Sequence, residues 1–496
     1  MPGSLPAGER LRGDQERLRA PERRRGMKDM TLEKIAAACG GTYIGPDEKR
    51  QTEISGAVTD SRQVKPGYLF IPIRGERVDG HRFIPQVLEQ GAAAVLSEME
   101  LKAGAGPYIL VKDTPSALKD IAEYYRSTLT IPVVGIAGSV GKTSTKEMVA
   151  SVLSQKYNVL KTDGNFNNEV GLPLTILRIR EEHEAAVVEM GISDFGEMHR
   201  LAKIARPDVC IMTNIGLCHL ENLKSRDGIL AAKSEMFDYL KEDGIIILNG
   251  NDDKLSSIKE KNGVVPIRYF VEDGSAPHDD RSYEVTASGI ENRGLEGMAA
   301  VFHFPEEERR VLIPIPGAHN VYNALAGACA GRALGLSTDE IIRGIETAQT
   351  IGGRTNVIEA GGIRLIDDCY NANPVSMKAS LEVLAACEGR KIAVLGDMGE
   401  LGEEELSLHA QVGSCAAESG IDALFCAGTR SEAMARAASA GGLETHYSPD
   451  KETMLAELIP YIKKGDAVLV KASHFMEYPK VVSELEKLCA EEGSTD

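Results

Sequence analysis

Apolar positions along the chain fall into short unbroken runs separated by amphipathic stretches. Val133-Val134-Gly135-Ile136-Ala137 has no polar interruption, the pattern of a parallel strand buried on both faces. A glycine loop follows. Met148, Val149, Val152 and Leu153 then share one stripe at helical spacing, which predicts an amphipathic helix. Ala185–Val188, Val209–Met212 and Ile245–Leu248 repeat the buried-strand pattern within residues 131–350. Strands alternating with helices predict a doubly wound α/β sheet. Residues 272–310 are polar and strand-like around Glu306-Glu307-Glu308-Arg309-Arg310, and predict an antiparallel appendage. From Gly352 onward, runs at Arg364–Ile366, Lys391–Leu395, Ala423–Cys426 and Ala467–Val470 predict a second α/β unit. Ahead of both, residues 27–128 hold shorter elements: a strand at Leu69–Ile73, a helix at Phe83–Gln90 and a buried strand at Ala92–Leu96. Pro132 disfavours helix in the residue before it, so residues 127–132 read as a linker.

The 496 residues suit about two to four domains. The expected division is 27–128, 129–351 and 352–496. Residues 1–26 carry seven arginines, four acids and no apolar core segment. They read as a disordered tail or an overextended start, not a secretory signal. No apolar stretch approaches the length of a membrane span. The net charge of −18 and the absence of Trp disfavour a nucleic-acid binder. If such a chain takes anionic ligands, local cations and backbone amides must oppose its overall field. Nine cysteines at irregular spacings, none in CxxC, read as reduced cytosolic thiols rather than disulfides or a zinc site.

The sharpest chemical feature is the loop after the first run, Gly138-Ser139-Val140-Gly141-Lys142-Thr143-Ser144. Glycines let backbone N–H groups curl around phosphate oxygens, and the helix N-terminus adds partial positive charge. Lys142 would neutralise phosphate charge and the Thr143 hydroxyl would ligate Mg²⁺. The full phosphate-loop spacing would place a glycine at 136, where Ile136 stands, so only a shorter GxxGKT form is present. The chain lacks the NKxD of guanine readers, which favours ATP. Glu189 ends a buried run, where a metal or water ligand belongs in such enzymes. His219 follows another strand on the same side.

Further segments carry a resemblance. Asp60-Ser61-Arg62, Pro66 to Phe70, Gly75-Glu76 and Asp79-Gly80-His81 lie in the first block. Asn165-Phe166-Asn167-Asn168-Glu169, Glu189-Met190-Gly191, Lys233-Ser234-Glu235 and Pro316-Gly317-Ala318-His319-Asn320 to Ala324 lie in the second. Arg354, Asp367-Asp368-Cys369-Tyr370-Asn371-Ala372-Asn373-Pro374, Gly396 to Gly402 and His409 lie in the third. Together, across residues 30–485, these segments resemble the Mur ligase family, ATP-dependent amide-forming enzymes of peptidoglycan assembly. The resemblance implies a three-domain α/β architecture, with a central phosphate-loop sheet and a Rossmann-like C-terminal domain. The DDxYNANP run points to the branch that joins D-alanyl-D-alanine to UDP-N-acetylmuramoyl-tripeptide. Cell-wall biogenesis, cell shape and cell division would depend on that reaction, performed by a cytoplasmic monomer.

By the same resemblance, Ser61 and Arg62 lie near the uridine nucleotide, with the turn at Asp79 to His81 supporting that pocket. Asn165, Asn167 and Asn168 lie beside phosphates and substrate. Glu189 and His219 join Thr143 around magnesium. Asn320 reaches adenine with Asn323 in support, and Arg354 reaches ATP. Asp368, Tyr370, Asn371 and Asn373 face the amino substrate. Lys142, Glu189, His219 and Lys233 form the catalytic set. Lys233 has two open readings: carbamylated, as in several family members, or an unmodified phosphate partner. His474 departs from the pattern, standing where the family often has arginine. The alternatives are another Mur-type ligase, a folylpolyglutamate synthetase-like enzyme, or a nucleotide-binding scaffold without ligase chemistry.

Overall fold

The computed structural model describes residues 26–75, 77–272, 274 and 283–492. The expected N-terminal tail up to residue 25, Glu76, and part of the stretch 272–310 lie outside the described residues. The contacts divide the chain into two units. The first comprises residues up to Leu129 with Ile176–Glu181; the second comprises Thr130–Thr175 and the chain from Glu182 onward.

The first unit is built on a five-stranded sheet: β1 (Thr42–Ile44), β2 (Gly56–Val58), β3 (Tyr68–Phe70), β4 (Ala94–Ser97) and β5 (Tyr108–Leu110), in the order β1-β5-β4-β3-β2. All its pairings are parallel except β1 with β5. The strand expected at Leu69–Ile73 is shorter, because Ile71 to Ile73 leave the ladder. Tyr125 Oη donates to Ile179 O at 2.6 Å, tying the returning segment 176–181 into this unit.

The second unit holds two sheets. The larger contains β6 (Val133–Ala137), β7 (Val159–Lys161), β8 (Ala185–Glu189), β9 (Val209–Met212), β10 (Ile245–Asn249), β11 (Ile267–Val271), β12 (Val285–Asn292), β13 (Met298–His303) and β14 (Glu308–Ile313). Their order is β14-β13-β12-β11-β10-β9-β6-β8-β7, parallel from β7 through β12 and antiparallel beyond. The chain moves to one side of β6, then returns to the other. That makes the carboxyl end of β6 the place where an open sheet of this kind leaves a crevice. The expected helical stripe is there: Met148, Val149, Val152 and Leu153 pack against Val321, Leu325 and Ile341 in one core.

One expectation needs correcting. The stretch 272–310 is not an appendage. β12 pairs in parallel with β11, so the antiparallel strands continue the main sheet. The run Glu306 to Arg310, expected as a turn, holds one only in part, since Glu308 to Arg310 already belong to β14.

The smaller sheet contains β15 (Asn356–Ala360), β16 (Ile363–Asp367), β17 (Lys391–Gly396), β18 (Ala423–Ala427), β19 (Glu444–Ser448) and β20 (Ala467–Lys471). Their order is β15-β16-β20-β17-β18-β19, parallel except for β15. Helices cover both faces, giving two apolar cores. Because β20 inserts between β16 and β17, three loops far apart in sequence emerge side by side: 368–373, 397–401 and 472–474. Among the described residues, no helix is long and apolar enough to cross a membrane.

Candidate active site

A cleft of about 700 Å³ lies in the second unit. Its walls combine the loop after β6 with the loops after β16, β17 and β20. That size suits a nucleotide or similar ligand.

The glycine loop is shaped by its neighbours. Gly138 has φ +152°, and a Cβ there would collide with Thr213 Oγ1. Thr213 and Asn214, after β9, clamp the loop. Thr213 Oγ1 donates to Val140 O at 2.7 Å, Asn214 Nδ2 donates to the same carbonyl at 3.0 Å, and Val140 N donates to Asn214 Oδ1 at 3.0 Å. The helix Lys142–Leu153 then begins at Gly141, whose φ is +80°. Lys142 folds back so that its Nζ donates to Gly138 O at 2.9 Å.

Thr143 Oγ1 donates to Glu189 Oε2 at 2.9 Å, and Asn167 Nδ2 donates to Glu189 Oε1 at 2.8 Å. These side chains come from three separate segments. Arg354 reaches the same place from the start of the smaller sheet: its Nη2 donates to Thr143 Oγ1 at 3.2 Å. Its guanidinium lies 4.0 Å from the Tyr370 ring centroid, and its Nε is buried without a partner. Lys233 Nζ is likewise buried without a partner. Burial, then the nearby Lys142 charge, lowers the Lys233 pKa to about 8. Glu235 turns elsewhere. Its carboxylate accepts the N–H groups of Gly196 and His199 at 3.1 Å, capping the helix Glu197–Ala205.

Ser139 to Ser144, Asn165, Asn167, Asn168, Glu189, His219, Arg354, Asp368, Tyr370, Asn371 and Asn373 all line the cleft. Lys233 and Gly138 are buried, and neither lines it. Asn320 is also buried. Its Nδ2 donates to Pro316 O, and its Oδ1 accepts from Asn323, which in turn takes the Thr145 hydroxyl. His319, Tyr322 and Asn323 are the residues of the helix His319–Ala333 which face the cleft. Ser61 and Arg62 belong to the first unit. Ser61 is buried in a short 3₁₀ turn capped by Asp60, and the exposed Arg62 guanidinium grips the Asp60 carboxylate at 2.7 Å. In the same unit His81 Nδ1 lies 2.7 Å from Asp79 Oδ1.

Asp368 is buried. Lys471 Nζ at 2.6 Å, Ser380 Oγ at 2.5 Å and Thr355 N at 3.0 Å donate to its carboxylate. The Lys471 charge beside it holds its carboxyl below the usual range against the opposing effect of burial. Asn373 caps the helix Pro374–Ala385. His474 lies at the cleft with its ring centroid 5.8 Å from that of Tyr370.

The sequence reading did not place Glu400, Lys471 or Asp252 in the site. The available signal was position: Lys471 ends a strand and the other two follow one, at the carboxyl ends where parallel sheets present ligand-facing loops. Glu400 Oε2 sits 2.8 Å from His219 Nδ1. The His219 hydrogen bond holds the Glu400 carboxyl below its ordinary range. The loop bearing Glu400 is pinned by His409, whose Nε2 accepts from Met398 N at 2.9 Å while Nδ1 faces Glu405 O at 2.6 Å. Burial lowers the His409 pKa, so folding favours its neutral ring. Its contribution to stability is complete above the unfolded value of about 6.5 and is lost as pH falls below that value. Urea midpoints between pH 7.5 and 5 should fall less steeply for His409→Gln than for the parent chain. Parallel slopes would assign the fall to other groups.

A glycine loop between a buried strand and a helix, with a Thr–Glu pair at its mouth, defines a phosphate-loop α/β protein. The chain belongs to the Mur ligase family. Residues 53–126 match the Mur ligase family catalytic domain, 136–331 the Mur ligase middle domain, and 353–474 the Mur ligase glutamate ligase domain. The UDP-N-acetylmuramoyl-tripeptide–D-alanyl-D-alanine ligase of Bacillus subtilis (strain 168) is 37% identical over 92% of this chain and 98% of its own. The ligase of the same name from Escherichia coli (strain K12) is 35% identical over 93% and 99%. A crystal structure of MurF from Acinetobacter baumannii superposes with a TM-score of 0.83 at 33% identity, covering 93% of this chain and 100% of that one. MurF ligase from Thermotoga maritima in complex with ADP gives 0.76 at 30% identity, over 88% and 98%.

Proposed function

We propose that this chain is the ATP-dependent ligase that joins D-alanyl-D-alanine to UDP-N-acetylmuramoyl-tripeptide, giving the pentapeptide, ADP and phosphate. One observation carries the reading. Arg354 and the DDxYNANP loop meet the phosphate loop in a single cleft, so a nucleotide and an amino substrate can share it. The full-length likeness to ligases of that name supports it. In this reading residues 27–128 hold the uridine nucleotide, 129–351 the ATP, and 352–496 the amino substrate.

A carboxylate does not react with an amine at neutral pH, because oxide is a poor leaving group. Transfer of the γ-phosphoryl group to the tripeptide carboxylate supplies a better one. The amine then attacks the carbonyl carbon, a C–N bond forms, and the C–O bond to phosphate breaks. Lys142 and Arg354 offset the repulsion between the carboxylate and the phosphates. The buried Nε of Arg354 is a donor awaiting an acceptor, which fits an anionic ligand. Thr143 and Glu189 present adjoining hard oxygens, which suit Mg²⁺. A bound cation would neutralise further phosphate charge. His219 completes the proposed catalytic set. Its ring is turned to Glu400, and among the described residues no group of three His, Cys, Asp or Glu side chains is assembled for a metal. The unpartnered amine of Lys233, with its pKa near 8, suits carbamylation, which needs the neutral form. An α-amino pKa of about 7.7–8.0 leaves about a tenth to a sixth of the dipeptide amine neutral at pH 7, so a strong base is not required. Orienting the reactants can lower the barrier by about 7–11 kcal/mol.

The test is product analysis. Purified chain with ATP, Mg²⁺, UDP-N-acetylmuramoyl-tripeptide and D-alanyl-D-alanine should release phosphate and yield the pentapeptide by mass spectrometry. Phosphate release with a single amino acid but not with the dipeptide would reject the assignment.

A further inference from the structure

Four carboxylates line the cleft among the described residues: Glu189, Asp252, Asp368 and Glu400. Three of them are tied to fixed donors. Glu189 takes Thr143 and Asn167, and Asp252 takes the N–H groups of Ile215 and Leu255. Asp368 takes Lys471, Ser380 and Thr355 N. Glu400 differs. Its hydrogen-bonded partner is one side chain, His219, across the cleft; the Lys142 charge also acts on it, and 64% of its own side chain is exposed.

The backbone that presents Glu400 is held on every side. The buried Asp397 carboxylate accepts from Ser431 N, Ser431 Oγ and Arg430 N. Met398 N donates to His409, and Gly399 N donates to Ser473 Oγ at 2.9 Å. Leu401 is buried. Between these anchors Glu400 adopts φ +61°, a left-handed conformation that a residue with a side chain keeps only when its surroundings impose it. The loop therefore spends conformational strain to push one carboxylate into the cleft.

The charge pattern suggests its use. Lys142 and Arg354 suit phosphate, and Lys471 is already matched by Asp368. An amino substrate arrives with an ammonium group, which these cations repel. Glu400 is the acid in the cleft whose partner can be exchanged. Resting on the amide-forming reaction proposed above, we propose that Glu400 anchors the ammonium of the incoming amino substrate, exchanging His219 for the substrate nitrogen. Its part is recognition, so its loss acts on the amino substrate and not on phosphoryl transfer to the tripeptide.

Glu400→Gln keeps the size of the side chain and its ability to hydrogen-bond His219, and removes the charge. The KM for D-alanyl-D-alanine should rise about tenfold or more, while the KM values for ATP and the tripeptide nucleotide stay within about twofold. Tripeptide-dependent scrambling of ¹⁸O in ATP, measured without dipeptide, should be unchanged. D-lactoyl-D-alanine lacks the ammonium, and as a competitor it should inhibit parent and variant equally. An unchanged dipeptide KM would overturn the proposal. So would equal weakening of the dipeptide and the lactoyl analogue, or loss of the scrambling reaction, which would make the Glu400–His219 pair a strut between the two sheets. Failure of the functional reading looks different: the unsubstituted chain would itself show neither scrambling nor phosphate release, and both proposals would fall.

Discussion

Lys142→Ala should lower turnover by about 10³-fold or more with little change in thermal stability. The side chain sits at the first position of the helix Lys142–Leu153, where a cation opposes the helix dipole. Its hydrogen bond to Gly138 O closes the loop on itself, and contacts of the loop backbone with Thr213 and Asn214 hold the loop without it. Lys142 also repels the buried Lys233. Removing Lys142 therefore relieves repulsion and loses one partly exposed hydrogen bond, so the net effect on folding should stay within about 0.5 kcal/mol. The effect on chemistry should be large because, on the proposed reading, Lys142 offsets the repulsion between the phosphates and the incoming carboxylate. Steady-state kinetics beside a thermal melt separates the two. Near-normal turnover would remove Lys142 from phosphate binding, and a collapsed melting curve would make its role structural.

Glu189→Gln should lower turnover by about 10²–10³-fold and raise the magnesium concentration needed for half-maximal rate. Glu189 is 2% exposed, and both oxygens are engaged. A glutamine can still accept from Asn167, and the Thr143 hydroxyl can rotate to accept instead of donate. The network thus survives while a buried negative charge is lost, so stability should hold or rise. A magnesium titration of the rate is the decisive measurement. An unshifted titration would exclude Glu189 as a metal holder.

Local features were legible in the sequence. The strand Val133–Ala137 appears with its expected bounds, and the loop after it has the backbone that its glycines require. β11 was hidden because Arg268 interrupts its apolar run; in the fold that side chain is buried, with Nη1 donating to Pro266 O at 3.1 Å. Without β11, the strands after it looked detached from the main sheet. β19 was missed for a related reason: only Ser448 of its five residues is buried, so it carries no apolar run. Asn320 was expected to reach adenine; in the fold its side chain points into the helix packing, and His319 and Asn323 line the cleft. Glu400 was readable as part of a family-like loop, but its meeting with His219 joins the loop after β17 of the smaller sheet to the loop after β9 of the larger one, a contact that periodicity cannot supply.

The main sheet has two free borders, and both are poor templates for another molecule. β7 offers three residues. β14 carries Glu308, Arg309 and Arg310 in succession; Arg309 is paired with Asp339 and Arg310 with Glu291, and the helix Thr338–Glu346 packs beside it. An intruding chain would have to strip water from these charges to hydrogen-bond along the border. A long sheet with an apolar interior is thereby kept from seeding aggregates.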